Sequence, residues 1–227
     1  MLVKNWMSKN PVTIDVKASM QDAIRLMKQK NIKLLPVIKG DDLVGVVTDR
    51  DLKKASASDA TSLDVHELLY LITKIKIKDI MVENPVTVPE DFTIEETADI
   101  LLAKKISGVP VLGKTGKIVG VITKSDLFRV IIALTGFGQK GIQLAMQIED
   151  ASGSIKTIAD VIRKHHARIA SILTSYDQVP EGYRKIYIRF FGMDRSQVEA
   201  LLADIQNKAR LLYMVDHREG KRVIYKS

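Results

Sequence analysis

A chain of 227 residues with 46% hydrophobic and 27% charged side chains can bury one large core or two small ones. It contains no cysteine, which excludes disulfides, thiolate nucleophiles and cysteine-ligated zinc. No apolar run reaches the roughly 20 residues of a membrane-spanning helix and no secretory segment opens the chain, which favours a cytoplasmic protein without a membrane partner.

The formal net charge of +8 raises the question of nucleic-acid binding. The excess of basic residues is spread over the whole chain, and the clusters at 74–78 and 218–222 contain no interleaved aromatic side chains. Nothing in the sequence resembles a recognition helix. We therefore predict no nucleic-acid partner, and a basic surface that also suits anionic small ligands.

Two segments of the chain occur twice in the same order. The stretch 7–13, Met-Ser-Lys-Asn-Pro-Val-Thr, returns at 81–87 as Met-Val-Glu-Asn-Pro-Val-Thr. The stretch 43–52 contains Gly-Val-Val-Thr-Asp-Arg-Asp and returns at 118–127 with Gly-Val-Ile-Thr-Lys-Ser-Asp. Because a repeat constrains the architecture more than any single motif, two copies predict a pair of similar units.

Each copy begins with a strand and a helix. In the first copy a strand is expected at 12–16, and Ser19 to Asp22 has the capping-box pattern that begins a helix. The apolar stripe of this helix is formed by Met20, Ala23, Ile24 and Met27. The second copy has the same box at Thr93 to Glu96. Its stripe is formed by Ile94, Thr97, Ala98 and Leu101.

Two strands joined by a short polar turn follow the helix in each copy. The apolar stretches lie at 34–38 and 43–48 in the first copy and at 109–112 and 118–123 in the second. The turns at 39–42 and 113–117 have the length and composition of hairpin connections. With the helix that comes next, each copy has the predicted order βαββα.

The two copies differ in the segments that come after them. The stretch 55–62 is small and polar and predicts a mobile loop, after which Val65, Leu68, Leu69 and Ile72 predict an additional helix. The second copy ends in a helix with a stripe of Leu127, Val130, Ile131 and Leu134. We expect a module at 1–135, with repeats at about 1–74 and 75–135, a glycine-rich linker at 136–141 and a second domain at 142–227.

The second domain has a different order of elements. Strands are expected at 142–148, 169–175, 185–191 and 211–215, with a further short strand at 222–226. One helix is expected to be capped by Ser154, with a stripe of Ile155, Ile158, Ala159 and Ile162. The other is capped by Asp194, with a stripe of Val198, Leu201, Leu202 and Ile205. The order βαββαβ predicts a ferredoxin-like antiparallel sheet with two helices on one face, so the whole chain is of the α+β class.

The motif Thr-x-x-Asp, at Thr48 to Asp51 and at Thr123 to Asp126, is the sharpest candidate for a binding site. One interpretation is a capping box at a strand-to-helix junction, without further function. The other depends on context, because each motif follows a glycine-bearing strand and lies at a helix N-terminus that favours phosphate. A carboxylate one turn inside such a helix accepts hydrogen bonds from two hydroxyls, as in a ribose.

Residues 1–135 resemble a tandem of CBS domains, the cystathionine β-synthase type of repeat that forms a Bateman module with pseudo-twofold symmetry. The resemblance is carried by the repeated Pro-Val-Thr opening, by Pro36-Val37 and Pro110-Val111, and by the Gly strand that ends in Thr-x-x-Asp. It implies binding of AMP, ADP, ATP or another adenosyl compound such as S-adenosylmethionine in a cleft between the repeats, as a regulatory ligand without a covalent cofactor.

The same resemblance implies roles for individual residues. Asp51 and Asp126 would bind ribose, and Thr48 and Thr123 would bind phosphate. The base would be framed by Thr13, by Thr87 and by the backbone around Leu34-Leu35-Pro36 and around Gly108-Val109-Pro110. Arg50 is placed to meet phosphate charge, whereas Ser125 replaces it in the second copy with Lys124 beside it, so we expect two chemically unequal clefts.

The second domain resembles an ACT domain, a regulatory fold that commonly binds amino acids at subunit interfaces. The loop that carries this resemblance comprises Asp150, Gly153, Ser154 and Ile155. The chain departs from the family at 167–169, where Ala-Arg-Ile stands and the family often has Asn before the second strand. Both amino-acid binding and a purely dimerising role are compatible with this pattern.

No catalytic constellation is visible. The four histidines include no pair with metal-ligand spacing, and the chain has no Walker loop and no GxGxxG motif. The order CBS, CBS, ACT resembles a bacterial and archaeal family linked to acetoin utilisation. We therefore expect a non-enzymatic, allosteric ligand sensor that forms a homodimer. The alternatives are a regulatory subunit that docks on an enzyme or transporter and, as the poorest of the three, an enzyme acting on nucleotides.

Overall fold

The computed structural model describes residues 1–59 and 73–225. The chain forms two compact units, Met1–Phe128 and Arg129–Ser227, and the division falls within a single helix, Lys124–Leu134. The helix expected from Val65, Leu68, Leu69 and Ile72 lies outside the described residues.

The first repeat contains β2 (Ile14–Asp15), α1 (Met20–Lys30), β3 (Leu34–Lys39), β4 (Asp42–Thr48) and α2 (Asp49–Asp59). The predicted capping box at the start of α1 is confirmed. The Asp22 N–H donates to the Ser19 hydroxyl at 3.1 Å, and the Ser19 N–H donates to the Asp22 carboxylate at 3.1 Å. Met20, Ala23 and Met27 are buried as predicted, but Ile24 is 38% exposed. The prediction for Ile24 is wrong because it lies about 100° around the helix from Ala23, at the edge of the stripe.

The predicted loop at 55–62 is wrong in its first part, because α2 continues to Asp59. Two local interactions support this extension within the helix. The Lys53 ammonium lies 2.8 Å from the Asp49 carboxylate, and the Ser56 hydroxyl donates to the Leu52 carbonyl at 3.0 Å. Alanine is a strong helix former, so the Ala-Ser composition of this stretch does not by itself end a helix.

The second repeat contains β6 (Val88–Pro89), α3 (Ile94–Ala103), β7 (Gly108–Leu112), β8 (Ile118–Thr123) and α4 (Lys124–Leu134). The predicted box is present, with the Thr93 N–H donating to the Glu96 carboxylate at 2.8 Å. The buried members of the α3 stripe are Ile94, Thr97 and Leu101. The hydroxyl of Thr97 donates to the Thr93 carbonyl at 2.9 Å, which satisfies its polar group inside the core.

Helix α4 buries only part of its predicted stripe. Val130 is 1% exposed, whereas Ile131 is 56% and Leu134 is 43% exposed. The prediction that all four stripe residues are buried is therefore wrong for Ile131 and Leu134. The periodicity marks an apolar face, but it does not say whether the same chain covers that face.

The two repeats exchange their edge strands. The sheets have the orders β2-β3-β4-β5 and β1-β8-β7-β6, where β1 is Ser8–Lys9 and β5 is Val82–Glu83. Strand β1 belongs to the first repeat but pairs antiparallel with β8 of the second, and β5 of the second repeat pairs with β4 of the first. Each repeat therefore completes the sheet of the other.

This exchange explains why methionine and glycine recur together in the repeated sequence. A Cβ atom at Gly45 would lie 2.7 Å from Met81 Sδ and 3.0 Å from the Val82 carbonyl oxygen. A Cβ atom at Gly120 would collide with Met7 Sδ in the same way. The methionine of each copy thus packs over the glycine of the other, and only glycine permits so close an approach.

The second unit contains β9 (Ile142–Glu149), α5 (Ser154–Lys164), β10 (Arg168–Ser175), β11 (Tyr183–Phe191), α6 (Val198–Gln206), β12 (Arg210–Asp216) and β13 (Lys221–Ile224). Its five strands form one sheet in the order β10-β11-β9-β12-β13, and all neighbouring strands are antiparallel. The predicted order βαββαβ is confirmed. Strand β13 forms one edge of the sheet and corresponds to the short strand predicted at 222–226.

Both helices of the second unit pack on one face of this sheet. Alternate residues of β9, among them Leu144 and Met146, share a core with Ile158 and Ile162 of α5 and with Leu201 of α6. All four stripe residues predicted for α6 are buried, namely Val198, Leu201, Leu202 and Ile205. The apolar periodicity of both helices therefore predicted their buried faces correctly.

The predicted cap of α5 is wrong. Gly153 occupies the N-cap position with φ at 86°, a left-handed conformation that favours glycine. The hydroxyl of Ser154, the first helical residue, instead donates to the Ala151 carbonyl at 2.9 Å. By contrast, the Asp194 carboxylate accepts the Ser196 N–H at 2.9 Å and caps a 3₁₀ turn that leads into α6.

The segment predicted as a linker, 136–141, packs within the second unit. Phe137 and His217 contact each other edge to face with ring centroids 5.2 Å apart, and the Arg189 guanidinium lies 5.5 Å from the centre of the Phe137 ring. Arg189 is only 4% exposed and donates to the Thr135 carbonyl at 2.7 Å. Burial lowers the pKa of Arg189, which still remains a cation at neutral pH.

Candidate functional site

Both Thr-x-x-Asp motifs are capping boxes in the structure. The Thr48 N–H and hydroxyl donate to Asp51 Oδ2 at 2.8 and 2.6 Å. The Thr123 N–H and hydroxyl both donate to Asp126 Oδ2 at 2.7 Å. The first interpretation of the motif, as a helix cap, is therefore confirmed, and it leaves open whether the same carboxylates also serve a ligand.

The first box lies at the junction of β4 and α2, next to β3. The second lies at the junction of β8 and α4, next to β7. The Lys124 N–H at the start of α4 donates to the Ser107 carbonyl at 2.9 Å, and the Asp49 N–H at the start of α2 donates to the Lys33 carbonyl at 3.1 Å. These bonds fix each helix N-terminus next to the start of β7 or β3. A helix N-terminus fixed in this way presents its partial positive charge at a defined place.

A cavity of about 550 Å³ lies at the second box and is lined by both repeats. The first repeat contributes Ser8 to Val12 and Asn31 to Leu34. The second repeat contributes Ser107, Val121 and the residues from Thr123 to Asp126. The exchange of β1 creates this wall, because the pairing of Ser8 with Val121 brings the start of the chain to β8. A cavity of this size holds a small organic ligand.

Three of the residues predicted for the site line this cavity, namely Thr123, Lys124 and Asp126. Asp126 lines the cavity although only 4% of its surface is exposed. Thr48, Arg50 and Asp51 belong to the other junction and do not line this cavity.

The residues predicted to frame the base lie in strands or next to them. Leu35 and Val109 are 0% and 1% exposed and belong to the interior, as do Pro36 and Pro110. Thr13 follows Val12, which lines the cavity, and Thr87 holds the same place in the second repeat. Of the two predicted backbone stretches, Leu34 lines the cavity; Thr13, Thr87 and the other members do not, although Val12, the neighbour of Thr13, does.

Sequence reasoning missed two lysines of this cavity. Lys9 and Lys33 line it together with Asn10, whose backbone has φ at 50° before Pro11. Asn84 has φ at 47° at the equivalent place, so the repeated Asn-Pro marks a left-handed turn in both copies. The repeated Asn-Pro could have indicated this part of the cavity from the sequence, because rare backbone conformations cluster at functional sites.

The loop predicted as an amino-acid site is held by an arginine. The Arg184 guanidinium donates to the Ser154 hydroxyl at 3.0 Å and lies 3.3 Å from the Asp150 carboxylate. A cavity of about 510 Å³ lies beside it, and its lining includes Ser154, Glu149, Lys208 and Arg210. Ile155 packs against the core of the unit and does not line this cavity.

Metal-ligating clusters and membrane-spanning helices are both absent from the described ranges. Residues 1–59 and 73–225 contain no group of three or more histidine, aspartate or glutamate side chains arranged to hold a metal ion. In the same part of the chain, every helix is too short or too polar to span a bilayer.

The family model for the CBS domain matches residues 3–58 and 77–133. A CBS domain-containing protein of Dictyostelium discoideum, DDB_G0289609, is 34% identical over 132 residues, which are 58% of this chain and 91% of that protein. An inosine-5'-monophosphate dehydrogenase of Korarchaeum cryptofilum is 31% identical over 125 residues. The match covers 55% of this chain but only 23% of the dehydrogenase.

Solved structures give the same result for the first unit. The CBS domain pair of protein MJ0100, in complex with 5'-methylthioadenosine and S-adenosyl-L-methionine, is 31% identical with a TM-score of 0.50 and covers 58% of this chain and 95% of that one. A Vibrio cholerae protein assigned to acetoin utilization, AcuB, is 26% identical with a TM-score of 0.51 and covers 62% of this chain and 96% of that one. The two exchanged βαββα repeats are thus tandem CBS domains, and the chain belongs to the CBS domain-containing proteins.

Proposed function

We propose that this chain is a non-catalytic regulatory sensor that binds an adenosyl compound in the cleft between its CBS domains. The observation that carries the proposal is the cavity of about 550 Å³, which both repeats line and which contains the buried carboxylate of Asp126. A carboxylate accepts hydrogen bonds from two ribose hydroxyls, and the start of α4 beside it favours phosphate. The complex of the MJ0100 domain pair with two adenosyl compounds supports this ligand class.

Regulation requires that the ligand distinguishes two conformations. A compound that binds both equally shifts neither, however tightly it binds. In this proposal the exchanged strands are the responsive element, because β1 belongs to the cavity wall and to the sheet of the second repeat at once. Occupation of the cavity would therefore act on the packing of one repeat against the other.

Isothermal titration calorimetry tests this function. We expect at least one of AMP, ADP, ATP and S-adenosylmethionine to bind the full chain with a Kd well below about 1 mM. Guanosine monophosphate serves as the control for the base and is expected to bind more weakly. If none of the four adenosyl compounds binds at millimolar concentration, the proposed function is wrong.

For the second unit we propose an ACT domain. Its βαββαβ order and the loop from Asp150 to Ile155 support this assignment. The cavity beside Ser154 favours an amino-acid ligand, because Glu149 can pair with an α-ammonium group while Lys208 and Arg210 can pair with an α-carboxylate. A dimerising role without a ligand is the alternative for this unit.

We further propose that the chain forms a homodimer. Four large apolar side chains within seven residues are exposed, namely Ile131 (56%), Ile132 (54%), Leu134 (43%) and Phe137 (48%). An apolar patch of this kind is normally covered by a partner. Light scattering coupled to gel filtration should give about twice the chain mass of 25.3 kDa for the wild type.

The double variant Ile131→Asp with Ile132→Asp is expected to give the mass of a single chain. Leu102→Asp is the matched control, because Leu102 is 68% exposed on α3, away from this segment of sequence. A monomeric wild type would contradict the homodimer and favour the alternative function, in which these side chains dock the sensor on an enzyme or transporter. A double variant that stays dimeric would place the interface elsewhere.

A further inference from the structure

The cavity that contains Asp126 is electropositive. Lys9, Lys33 and Lys124 line it, and Asp126 is the acidic side chain among its lining residues. The N-terminus of α4 adds a partial positive charge at the same place. The carboxylate of Asp126 is engaged by the N–H and hydroxyl of Thr123, both at 2.7 Å from Oδ2. The lysines therefore dominate the field that a ligand meets.

The exchanged strands provide an internal comparison for the first lysine. Lys9 pairs with Gly120 of β8, and Glu83 pairs with Gly45 of β4 in the equivalent register. Because the pairing is the same, Glu83 holds the position at the Asp51 junction that Lys9 holds at the Asp126 junction. At this position the charge is reversed between the two halves of the module.

A second reversal occurs at the helix starts. Lys124 is the first residue of α4, and Asp49 is the first residue of α2. The Asp49 carboxylate lies 2.8 Å from the Lys53 ammonium. Arg50 occupies the position that Ser125 has in the second repeat, and it adds one positive charge to the Asp51 junction. The Asp51 junction therefore carries no comparable excess of basic side chains.

We infer that the Asp126 cleft selects adenosyl compounds that carry phosphate over those that carry none. The inference rests on the proposed function, because it names the ligand class of the same cleft. Lysine ammonium groups bind phosphate oxygens as point charges, and the carboxylate class to which Asp126 belongs accepts hydrogen bonds from ribose hydroxyls. A sulfonium compound such as S-adenosylmethionine would bring a further positive charge toward three lysines, which is unfavourable. Lys9, Lys33 and Lys124 thus determine which adenosyl ligand the sensor reads.

The experiment compares AMP with adenosine by calorimetry on the full chain. We expect AMP to bind at least tenfold more tightly than adenosine, and the advantage to shrink as salt is raised, since phosphate contacts at a partly open site are screened. Lys9→Glu introduces the residue that the other repeat has at the equivalent position. It should weaken AMP binding at least tenfold and leave adenosine binding within about twofold.

Lys78→Glu is the matched control, because it makes the same change of charge at an exposed residue that does not line the cavity. It should leave the ratio of AMP to adenosine affinity unchanged. Lys9→Glu is expected to fold, because the Lys9 side chain is exposed and the strand pairing uses only its backbone. If it does not fold, Lys124→Gln provides a second test. Equal affinities for AMP and adenosine, or a ratio that both lysine variants leave unchanged, would overturn the inference but leave the proposed function intact. Failure of every adenosyl compound to bind would overturn both.

Discussion

Arg195→Ala is expected to lower the free energy of unfolding of the second unit by about 3–5 kcal/mol, because it leaves a buried carboxylate without its cation. Asp216 is 3% exposed at the end of β12. Its oxygens accept from Arg195 Nε at 2.9 Å and from Nη2 at 3.3 Å. Arg195 lies in the turn before α6, so this pair joins the start of the helix to the end of the strand.

The pH dependence of stability gives this prediction its signature. Burial by itself would raise the pKa of Asp216, but hydrogen bonds from Arg195 and from the backbone N–H groups of Arg218 and Glu219 outweigh burial and hold the pKa below its ordinary value. A depressed pKa in the folded state contributes stability above the unfolded value, near pH 4, and this stability is lost as the pH falls through the folded pKa. Arg195→Ala removes the largest cause of this lowering, so we expect its loss of stability relative to the wild type to be greatest near pH 7 and to shrink as the pH falls toward 3.

Chemical denaturation between pH 3 and pH 7, followed by circular dichroism, measures both effects. Arg163→Ala is the control, because Arg163 lies 3.3 Å from Asp160 on the exposed face of α5. Removal of an exposed pair of this kind typically changes stability by less than about 1 kcal/mol. If both variants lose the same free energy of unfolding, or if the loss in Arg195→Ala is the same at pH 3 as at pH 7, the buried pair does not stabilise the fold as predicted.

Local signals explain which elements the sequence predicted well. The boxes at Ser19 and Thr93 were predicted correctly because both partners lie three residues apart and need no tertiary contact. The strand 118–123 was predicted without error for a similar reason, since a polar turn precedes its apolar run and the Thr-x-x-Asp box follows it. The order βαββαβ of the second unit results from such local boundaries.

Long-range pairing explains which features the sequence could not predict. Strands β1 and β5 contain two residues each, too few for a period to be visible, and each pairs with a strand of the other repeat. The presence of Lys9 in the cavity wall depends entirely on this exchange. Periodicity also cannot show whether the chain covers an apolar helix face, which is why Ile131 was expected in a buried stripe and is exposed.

The family resemblance named residues at the start of a helix and residues along strands. Thr123 and Asp126 line the cavity, because the motif fixes both residues at the start of a helix. It also named the backbone around Leu35 and Val109, and the side chains of both residues are buried in the interior. Adjacent residues of a strand point to opposite faces, so a motif that runs along a strand cannot show which of its members reach a ligand.

Asp126→Ala is expected to weaken binding of the adenosyl ligand at least a hundredfold. Two hydrogen bonds from ribose hydroxyls to a carboxylate are each worth about 1.5–3 kcal/mol, and about 2.7 kcal/mol corresponds to a hundredfold change in affinity. The same substitution removes the acceptor of the Thr123 N–H and hydroxyl, so the free energy of unfolding should also fall by about 1 kcal/mol. Calorimetry measures the first effect, and urea denaturation of the same samples measures the second.

The matched control separates capping from binding. Asp22→Ala removes a box of the same geometry on α1, where the Ser19 hydroxyl donates to Asp22 Oδ2 at 2.6 Å, and Asp22 does not line the cavity. It should cost a similar amount of stability and leave affinity within about twofold of the wild type. Asp126→Asn keeps an oxygen acceptor for Thr123 but loses the charge, so it should retain more stability than Asp126→Ala while still binding the ligand weakly. If Asp126→Ala and Asp22→Ala behave alike in both measurements, Asp126 only caps its helix and does not bind the ligand.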